Sequence, residues 1–337
     1  MTSYNNHLPN IVTTVTPQRI SFVGGGTDFE DYFKEHGGAV VCATIDKYVY
    51  VTVKRHSPLF NENYRLSYSK TEHVNSLEEI ENDIARECIR LLPVDPPLFI
   101  ATAADLPASS GLGSSSSFAV GLLHALHEMR GEKVSSGQLA EEACHVEIDM
   151  LKRPIGKQDQ YAAAVGGLNY IQFERNGRVN VNQLWLQNKG VDQLFDRLLL
   201  VWTGAQRESS NILYEQKDNI RQNKIPLDNI SAACQEVLAI FRSNEVDFEA
   251  VGKLLDQSWQ QKKLLSSSIS NAHIDRLYDD AIKAGSYGGK VAGAGGGGFL
   301  LLVLPSENTS KIESALGTTN LIRIRYDPHG SRVLFKM

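Results

Sequence analysis

The sequence predicts an α+β fold, because segments patterned like strands and segments patterned like helices both recur along its 337 residues. Residues 44–55 alternate valines with tyrosines and a threonine, which is the period-two pattern of a half-buried strand. Residues 118–129 repeat large apolar side chains at spacings of four, four and three, which indicates an amphipathic helix. A strand at 198–202 precedes mostly helical sequence to residue 283, and strands at 299–304 and 321–326 follow.

The elements of the first half follow a clear order. A strand at 98–106 leads into a serine- and glycine-rich segment and then into the helix, which we expect to stop at Gly131. A second helix opens at Ser135, the first position of a capping box. Its apolar stripe ends at Met150, and Glu147 lies roughly 70° from the centre of that stripe, at the edge of the buried face.

Two domains are expected, 1–180 and 181–337, because the pattern changes from mixed to mostly helical near residue 180. The dipeptide Asn176-Gly177 leaves open a simpler interpretation of this boundary, a hairpin turn.

Composition limits the partners. The net charge of −5 provides no basic field for sequence-tolerant binding of nucleic acid. The longest apolar run, 299–304, has the length of a strand and is far short of the ~20 residues of a membrane span. Residues 1–10 lack the basic and apolar regions of a signal peptide. We therefore expect small-molecule partners, no nucleic acid and no membrane.

The four cysteines form no C-x-x-C pair and match neither a zinc nor a disulfide framework. We expect buried free thiols in a reducing compartment, and hence a cytoplasmic location. They are Cys42, Cys88, Cys144 and Cys234.

The positions of the glycines along the chain give the main indication of function. Of 27 glycines, 12 fall in three short windows, at 24–26, at 111 and 113, and at 288–298. The middle window, 106–117, lies between a strand and a helix, so its glycines would let the backbone approach a phosphate while the helix N-terminus attracts the anion. The alternative is a flexible Ser/Gly linker. The last window implies close approach of either another backbone or a ligand.

Two better-known phosphate loops are excluded. A Walker A loop needs Gly-Lys followed by Ser or Thr, whereas Gly-Lys is followed here by Gln, Leu or Val. The dinucleotide pattern G-x-G-x-x-G is not matched at 24–28.

The three windows, in this order, resemble the three motifs of the GHMP kinase superfamily. Pro17-Gln-Arg-Ile-Ser-Phe-Val-Gly-Gly-Gly-Thr-Asp28 looks like the sugar-kinase form of the first motif. Together with Gly156-Lys-Gln-Asp-Gln-Tyr-Ala-Ala-Ala164 and the last window, it is most similar to the heptose 7-phosphate kinase branch. The resemblance implies a ribosomal-protein-S5-like N-terminal domain, a ferredoxin-like C-terminal domain and an active site in the cleft between them.

The resemblance also implies binding of ATP and Mg²⁺. Ser115 matches the superfamily's Mg²⁺-ligating serine, and Glu147 matches its acidic metal partner, although a solvated helix glutamate is the alternative for Glu147. The residues expected to wrap the nucleotide phosphates are Ser110, Gly111, Leu112, Gly113, Ser114, Ser115 and Ser116.

The same resemblance assigns the chemistry. Asp159 matches the catalytic aspartate of the sugar-kinase branch, which could take the proton of the acceptor hydroxyl or only orient it. A polar turn residue is its alternative. Arg19 matches the first-motif arginine beside that hydroxyl, with a surface salt bridge as its alternative.

Substrate contacts are expected at the first motif. Asp28 matches an aspartate that accepts hydrogen bonds from sugar hydroxyls, although it could instead cap the following helix. Gly24, Gly25 and Gly26 would let backbone amides approach the sugar. Arg207 is the candidate for binding the sugar's phosphate; the competitors are Arg55, Arg65 and Lys157.

The resemblance thus implies ATP-dependent phosphorylation of the anomeric hydroxyl of a heptose 7-phosphate, giving a 1,7-bisphosphate. A fucose- or galactose-type hexose kinase and a non-catalytic sugar-binding regulator remain alternatives. The sequence leaves the oligomeric state open, a homodimer included.

Overall fold

A computed structural model describes residues 8–206, 210–307, 309–317 and 320–337. These residues contain twelve strands and eleven α-helices, together with a 3-10 helix at Leu77–Glu79 and a π-helix at His145–Met150. The strands are β1 (Ile11–Val23), β2 (Gly38–Arg55), β3 (Tyr64–Ser67), β4 (Thr71–Val74), β5 (Leu98–Ala104), β6 (Leu168–Phe173), β7 (Val179–Gln183), β8 (Leu198–Trp202), β9 (Gly288–Val291), β10 (Phe299–Val303), β11 (Leu321–Arg323) and β12 (Arg332–Lys336). The helices are α1 (Glu30–His36), α2 (Asp83–Leu91), α3 (Ser114–Met129), α4 (Ser136–Cys144), α5 (Gln158–Val165), α6 (Gly190–Asp196), α7 (Ser210–Asp218), α8 (Lys224–Phe241), α9 (Phe248–Lys263), α10 (Ala272–Ala284) and α11 (Thr309–Leu316).

The strands form two sheets. The larger has the order β12-β1-β2-β5-β3-β4, with β6 paired to β2 and β7 paired to β6. The long strand β2 serves two partners on one side, because its first part pairs with β6 and its last part with β5. The smaller sheet is antiparallel with the order β11-β8-β10-β9. The mixture of helices and sheets confirms the predicted α+β class.

The predicted domain boundary near residue 180 stays a proposal. Strand β12 does not follow it, because this strand lies after the boundary but belongs to the sheet of the first half. Strands β1–β7 belong to the larger sheet and β8–β11 to the smaller, but β12 returns to pair antiparallel with β1. The alternative hairpin is present: Gly177, at a φ of +90°, turns the chain between β6 and β7. The two interpretations of this region are therefore compatible.

Helix α3 begins inside the serine-rich segment, four residues before the first apolar residue of its predicted stripe. Gly113 precedes it in the left-handed conformation, and Gly131 follows it with a φ of +73°, as predicted. Ser135 caps α4 by accepting from the Gln138 amide at 3.2 Å. Only this half of the predicted capping box forms, because the Gln138 side chain donates instead to Glu142.

The second predicted helix changes type partway. It is α-helical to Cys144 and continues as a π-helix over His145–Met150, where the Leu151 amide donates to the Val146 carbonyl five residues earlier. The wider turn changes which side chains face inward, so Glu147 is fully buried rather than at the edge of the buried face. Single π-turns of this kind are frequent at functional sites.

The four cysteines are free and buried, as predicted. Within the described ranges, none of the helices is long and apolar enough to cross a membrane.

Candidate active site

The serine-rich loop packs directly on the last glycine window. A Cβ added to Gly293 would lie 2.7 Å from the Gly111 Cα, and one added to Gly298 would lie 2.4 Å from the Ser110 carbonyl oxygen. Both distances are shorter than real Cβ contacts allow. The absent side chains are therefore explained by two backbones in contact, which is the first of the two predicted alternatives.

A cavity of about 460 Å³ opens beside this loop. It is lined by the loop backbone, by the side chains of Arg19, Glu147, Arg153 and Asp159, and by Gly293 of the last window. Gly113 and Ser114 open α3 here, so the positive end of a sixteen-residue helix begins at the cavity wall. Amides and a helix N-terminus together can bind an anion such as a phosphate.

The predicted phosphate-binding residues divide into two groups. Ser110, Gly111, Gly113, Ser114, Ser115 and Ser116 line the cavity. Leu112 does not line it, because its fully buried side chain anchors the loop in the hydrophobic core, and its contact with phosphate stays a prediction. Its carbonyl accepts a hydrogen bond from the Arg19 amide at 3.0 Å, which ties the loop to β1.

Glu147 is the centre of a buried polar cluster at the floor of this cavity. Its carboxylate accepts hydrogen bonds from Ser115 Oγ at 2.5 Å, Ser116 Oγ at 2.7 Å and Gln160 Nε2 at 2.7 Å. Burial raises the pKa of Glu147 above its usual value, although these hydrogen bonds oppose the change. The solvated-glutamate alternative is excluded by the complete burial of the residue.

Arg153 completes the cluster and was not singled out by the sequence. Its guanidinium donates to Ser115 Oγ at 2.9 Å and lies 3.4 Å from the Glu147 carboxylate. A second pair of hydrogen bonds, to Asp83 at 2.9 and 3.1 Å, holds it from the other side. The π-turn and Pro154 bring it there, and no local sequence pattern distinguishes it from a surface arginine.

The residues at this floor suit Mg²⁺ if phosphate oxygens supply the remaining ligands. Ser115 Oγ and Glu147 Oε1 are adjacent hard oxygen atoms, the donor type that Mg²⁺ prefers. Among the described residues, no cluster of three or more His, Cys, Asp or Glu side chains could hold a metal ion by itself. The protein would therefore contribute a partial shell, as is usual for Mg²⁺ bound with a nucleotide.

Arg19 and Asp159 form a bidentate ion pair. Arg19 Nε donates to Asp159 Oδ1 at 2.7 Å and Nη2 donates to Oδ2 at 2.6 Å, while Nη1 donates to the Gly111 carbonyl at 2.6 Å. Arg19 is buried and the Asp159 side chain is 23% exposed, so the pair is no surface salt bridge. It fixes the carboxylate of α5 against the phosphate-loop backbone.

A second, smaller cavity of about 70 Å³ adjoins the pair on its other side. Its walls include Gly25, Gly26 and Asp28 from the first motif and Lys262 from α9. Because Arg19 and Asp159 line both cavities, they lie at the junction between them. This arrangement is what transfer of a group from one bound molecule to another requires.

Asp28 is buried beside α5. Its Oδ1 accepts from the Gly26 amide at 3.0 Å, and its Oδ2 accepts from the Gln158 amide at 3.2 Å, at the first turn of α5. The alternative interpretation, in which Asp28 caps α1, is wrong, because the N-cap residue of this helix is Phe29. Burial raises the pKa of Asp28 above its usual value.

The three glycines of the first motif have different surroundings. Gly25 lies on the small cavity, with the Gln158 amide group and the Lys262 ammonium as its nearest neighbours. Gly26 lines the same cavity. Gly24 instead packs on the backbone of β2, where an added Cβ would lie 2.1 Å from the Ala39 carbonyl oxygen. Packing therefore explains Gly24 without a ligand.

The candidates for binding a second phosphate are dispersed. Arg207 lies outside the described residues. Arg55 donates to the Met129 carbonyl at the far end of α3, and Arg65 pairs with Glu62. Lys157 lines a cavity of about 410 Å³ that also includes Asp28, so it is the competitor placed beside the first motif.

Comparisons with known proteins show which family this chain resembles. Two family models match the chain: "GHMP kinases N terminal domain" over residues 62–167, and "GHMP kinases C terminal" over residues 239–320. The D-glycero-alpha-D-manno-heptose 7-phosphate kinase of Campylobacter jejuni is 33% identical, over 90% of this chain and 93% of that protein.

Solved structures share the whole fold. A crystal structure named as a D-glycero-D-manno-heptose 1-phosphate kinase, from Bacteroides thetaiotaomicron, matches with a TM-score of 0.78 at 25% identity, over 96% of this chain and 99% of that one. Lactococcus lactis galactokinase matches with a TM-score of 0.74 at 17% identity, over 96% and 95% of the two chains.

Proposed function

Since this chain belongs to the GHMP kinase family and is a sugar kinase, we propose that it transfers the γ-phosphoryl group of ATP to the anomeric hydroxyl of D-glycero-D-manno-heptose 7-phosphate. The product would be the 1,7-bisphosphate. The observation that carries the proposal is the position of the Arg19–Asp159 pair at the junction of the two cavities. The names of two similar proteins supply the sugar: both name this heptose, and they differ in the phosphate position that they name.

The larger cavity is the proposed nucleotide site. The amides of the serine-rich loop and the start of α3 would bind the phosphates of ATP, and the loop backbone is held rigid by its contact with Gly293. Ser115 and Glu147 would hold Mg²⁺ from the protein side. When bound, the ion supplies positive charge that neutralises the phosphate oxygens.

The smaller cavity is the proposed site of the reacting end of the sugar. Asp28 would accept a hydrogen bond from a sugar hydroxyl, and the open space at Gly25 would let the ring approach the backbone. The anomeric hydroxyl would then lie against Asp159, facing the nucleotide.

The transfer step would use Asp159 and Arg19 together. The anomeric oxygen forms a bond to the γ-phosphorus while the bond from that phosphorus to the bridging oxygen of ADP breaks, and the hydroxyl proton passes to Asp159. Arg19 keeps the carboxylate oriented and adds positive charge beside the transferring group. The proton then leaves Asp159 to solvent, which its partial exposure allows.

The sugar's own phosphate would bind outside the small cavity, because a 70 Å³ space holds only the reacting end. Lys157 and Arg207 are the proposed cations, Lys157 because it lies beside Asp28 and Arg207 from its resemblance alone. We also propose a cytoplasmic location, which the four free cysteines support.

The proposal is tested by following ADP release from Mg·ATP with a panel of free and phosphorylated sugars. Turnover confined to heptose 7-phosphate is expected. Turnover of free hexoses such as fucose or galactose, without turnover of heptose 7-phosphate, would assign the chain to the hexose kinases. Binding of ATP and sugar without turnover would identify a sugar-binding regulator instead.

A further inference from the structure

Lys262 is a buried cation in the small cavity that neither the family motifs nor the sequence pattern pointed to. It lies near the end of α9, with only 6% of the residue exposed. Its ammonium donates to the Gly293 carbonyl and is 3.8 Å from the position that a Cβ on Gly25 would occupy. Leaving a buried charge without strong partners is costly, so a position like this needs a physical explanation.

The described residues leave this cation incompletely paired. An ammonium has three N–H donors, and the Gly293 carbonyl is a neutral acceptor that engages one of them. The carboxylates of Asp28 and Asp159 favour its charge through space, while Arg19 opposes it. The net effect of burial is to lower the pKa of Lys262 to about 8.

Gln158 adds a second polar side chain to the same cavity. Its Nε2 is 3.6 Å from the position that a Cβ on Gly25 would occupy, and its Oε1 is buried without a hydrogen-bond partner among the described residues. Within the part of the chain that the structure describes, two N–H donors of Lys262 and the Gln158 Oε1 acceptor have no partner, and such groups on two side chains of one small cavity fit a ligand that carries several hydroxyl groups. Water could satisfy both, but the cavity adjoins the catalytic pair, where the sugar is proposed to bind.

We propose that Lys262 is a sugar-binding residue, donating hydrogen bonds to the sugar oxygens beside the hydroxyl that Asp28 holds. Asp28 accepts and Lys262 donates, so together they bind neighbouring hydroxyls of one ring in a fixed orientation. Gln158 accepts from a further hydroxyl of the same face. This inference rests on the proposed sugar kinase function, since it assigns a residue to the acceptor site.

A structural role is the alternative to sugar binding for Lys262. Through the Gly293 carbonyl it also contacts the glycine window that supports the phosphate loop. A purely structural lysine would act on the nucleotide side, through that loop. A sugar-binding lysine would act on the sugar side, and the two Michaelis constants distinguish the roles.

The test compares wild type with Lys262→Met, with Lys253→Met as the matched control on the exposed side of the same helix. Hydrogen bonds to a charged group are each worth about 1.5–3 kcal/mol, so Lys262→Met is expected to raise the KM for heptose 7-phosphate about 10- to 100-fold. The KM for ATP and the melting temperature should stay close to the wild-type values. An unchanged sugar KM, or an equal rise in both constants, would overturn the assignment.

A second variant, Lys262→Arg, tests whether the sugar-binding role depends on the charge of residue 262. Groups facing Lys262 are Arg19 from β1, Asp28 and Asp159 through their carboxylates, and the buried Lys290 from β9. In wild type at saturating ATP, kcat/KM for the sugar should fall above about pH 8 as Lys262 loses its proton. Lys262→Arg keeps its charge, so its profile should stay flat there. An alkaline fall retained in Lys262→Arg would overturn the role of Lys262.

The measurements distinguish failure of the proposed kinase function from failure of the Lys262 assignment. If wild type turns over another sugar and not heptose 7-phosphate, the substrate assignment fails, and the same variants are measured with the sugar that is accepted. If wild type binds a sugar without turnover, the dissociation constant measured by calorimetry replaces KM. A wild-type protein that binds no sugar of the panel overturns both proposals.

Discussion

Arg19 and Asp159 are joined by two nearly parallel hydrogen bonds of 2.7 and 2.6 Å, so each oxygen of the carboxylate accepts from the guanidinium. The same arginine donates to the Gly111 carbonyl, which links the proposed base to the phosphate loop. Because each carboxylate oxygen still has a free lone pair, an acceptor hydroxyl can approach without breaking the pair. The pair is therefore organised before either substrate binds.

Replacing Asp159 tests this organisation. Asp159→Asn keeps the shape of the side chain but removes its charge and its capacity to accept a proton, so kcat should fall by about two to four orders of magnitude. The KM for ATP should change little, because the loop contacts of Arg19 with Gly111 remain. Initial rates measure both constants, with the exposed Asp192→Asn as the control. A kcat equal to that of wild type would remove Asp159 from the chemistry.

Glu147→Gln separates a metal-binding role from a structural one. The amide fills the same volume, but it cannot supply a charged ligand, so the Mg²⁺ concentration for half-maximal activity should rise about tenfold or more. Titration of activity with MgCl₂ measures this, and Glu249→Gln on the surface of α9 is the control.

The same variant makes a prediction about stability. Burial raises the pKa of Glu147 in the folded protein, so folding disfavours its ionised form. The folded protein then binds the proton more tightly than the unfolded chain, and this group lowers stability at pH values above its usual pKa. Without metal at neutral pH, Glu147→Gln should unfold at the same temperature as wild type or at a higher one. A strongly lowered melting temperature would show that the carboxylate is a structural necessity.

Gly293→Ala tests the contact between the last glycine window and the phosphate loop. Gly293 has a φ of +65°, and its new Cβ would lie 2.7 Å from the Gly111 Cα, so the loop must shift and the KM for ATP should rise. Gly204→Ala is the matched control. Gly204 has a φ of +79°, but no heavy atom of the described residues lies within 4 Å of its added Cβ. Both variants should lose about 1–2 kcal/mol to backbone strain, whereas only Gly293→Ala should weaken ATP binding.

His127 predicts a pH dependence of stability. Burial disfavours its charge, but the hydrogen bonds that its two ring nitrogens donate to Glu142 and Glu132 outweigh this and raise the pKa of His127 above its usual value. For a group whose folded pKa is raised, the stabilisation is complete below the unfolded pKa of about 6.5 and is lost as pH rises through the folded value.

His127→Gln should therefore cost about 2 kcal/mol in urea unfolding near pH 6 and less near pH 9. The exposed His145→Gln, whose partner is Asp149, serves as the control. A cost that is equal at both pH values would contradict the ion-pair explanation.

The sequence predicts local motifs well, because contiguous residues carry them. Gly111, Gly113 and Ser115 belong to one loop and line one cavity, so their spacing alone was enough to predict that they lie together. Arg153 and Lys262 carry no such signal, since one depends on a π-turn and the other is brought to the cavity by the packing of α9. The buried side chain of Leu112 was not predicted for a related reason: the sequence does not distinguish a loop residue that anchors the core from one that faces a ligand.

The sequence also did not predict the pairing of strands that are distant along the chain. Strands β1 and β12 pair with each other although they lie near opposite ends of the sequence. Because β12 is short and half-exposed, its residue pattern does not indicate which strand it pairs with. The burial of Glu147 depended on a helix type that apolar periodicity does not distinguish from an α-helix.

Phosphorylation of the anomeric hydroxyl of heptose 7-phosphate is the proposed activity of this chain. The most direct measurement is phosphorus NMR of the product formed from Mg·ATP and D-glycero-D-manno-heptose 7-phosphate. One new sugar-phosphate resonance is expected, from a phosphate on the anomeric oxygen, together with the retained 7-phosphate signal and one ADP per product. A phosphate on any other hydroxyl, or ADP release without a sugar bisphosphate, would contradict it.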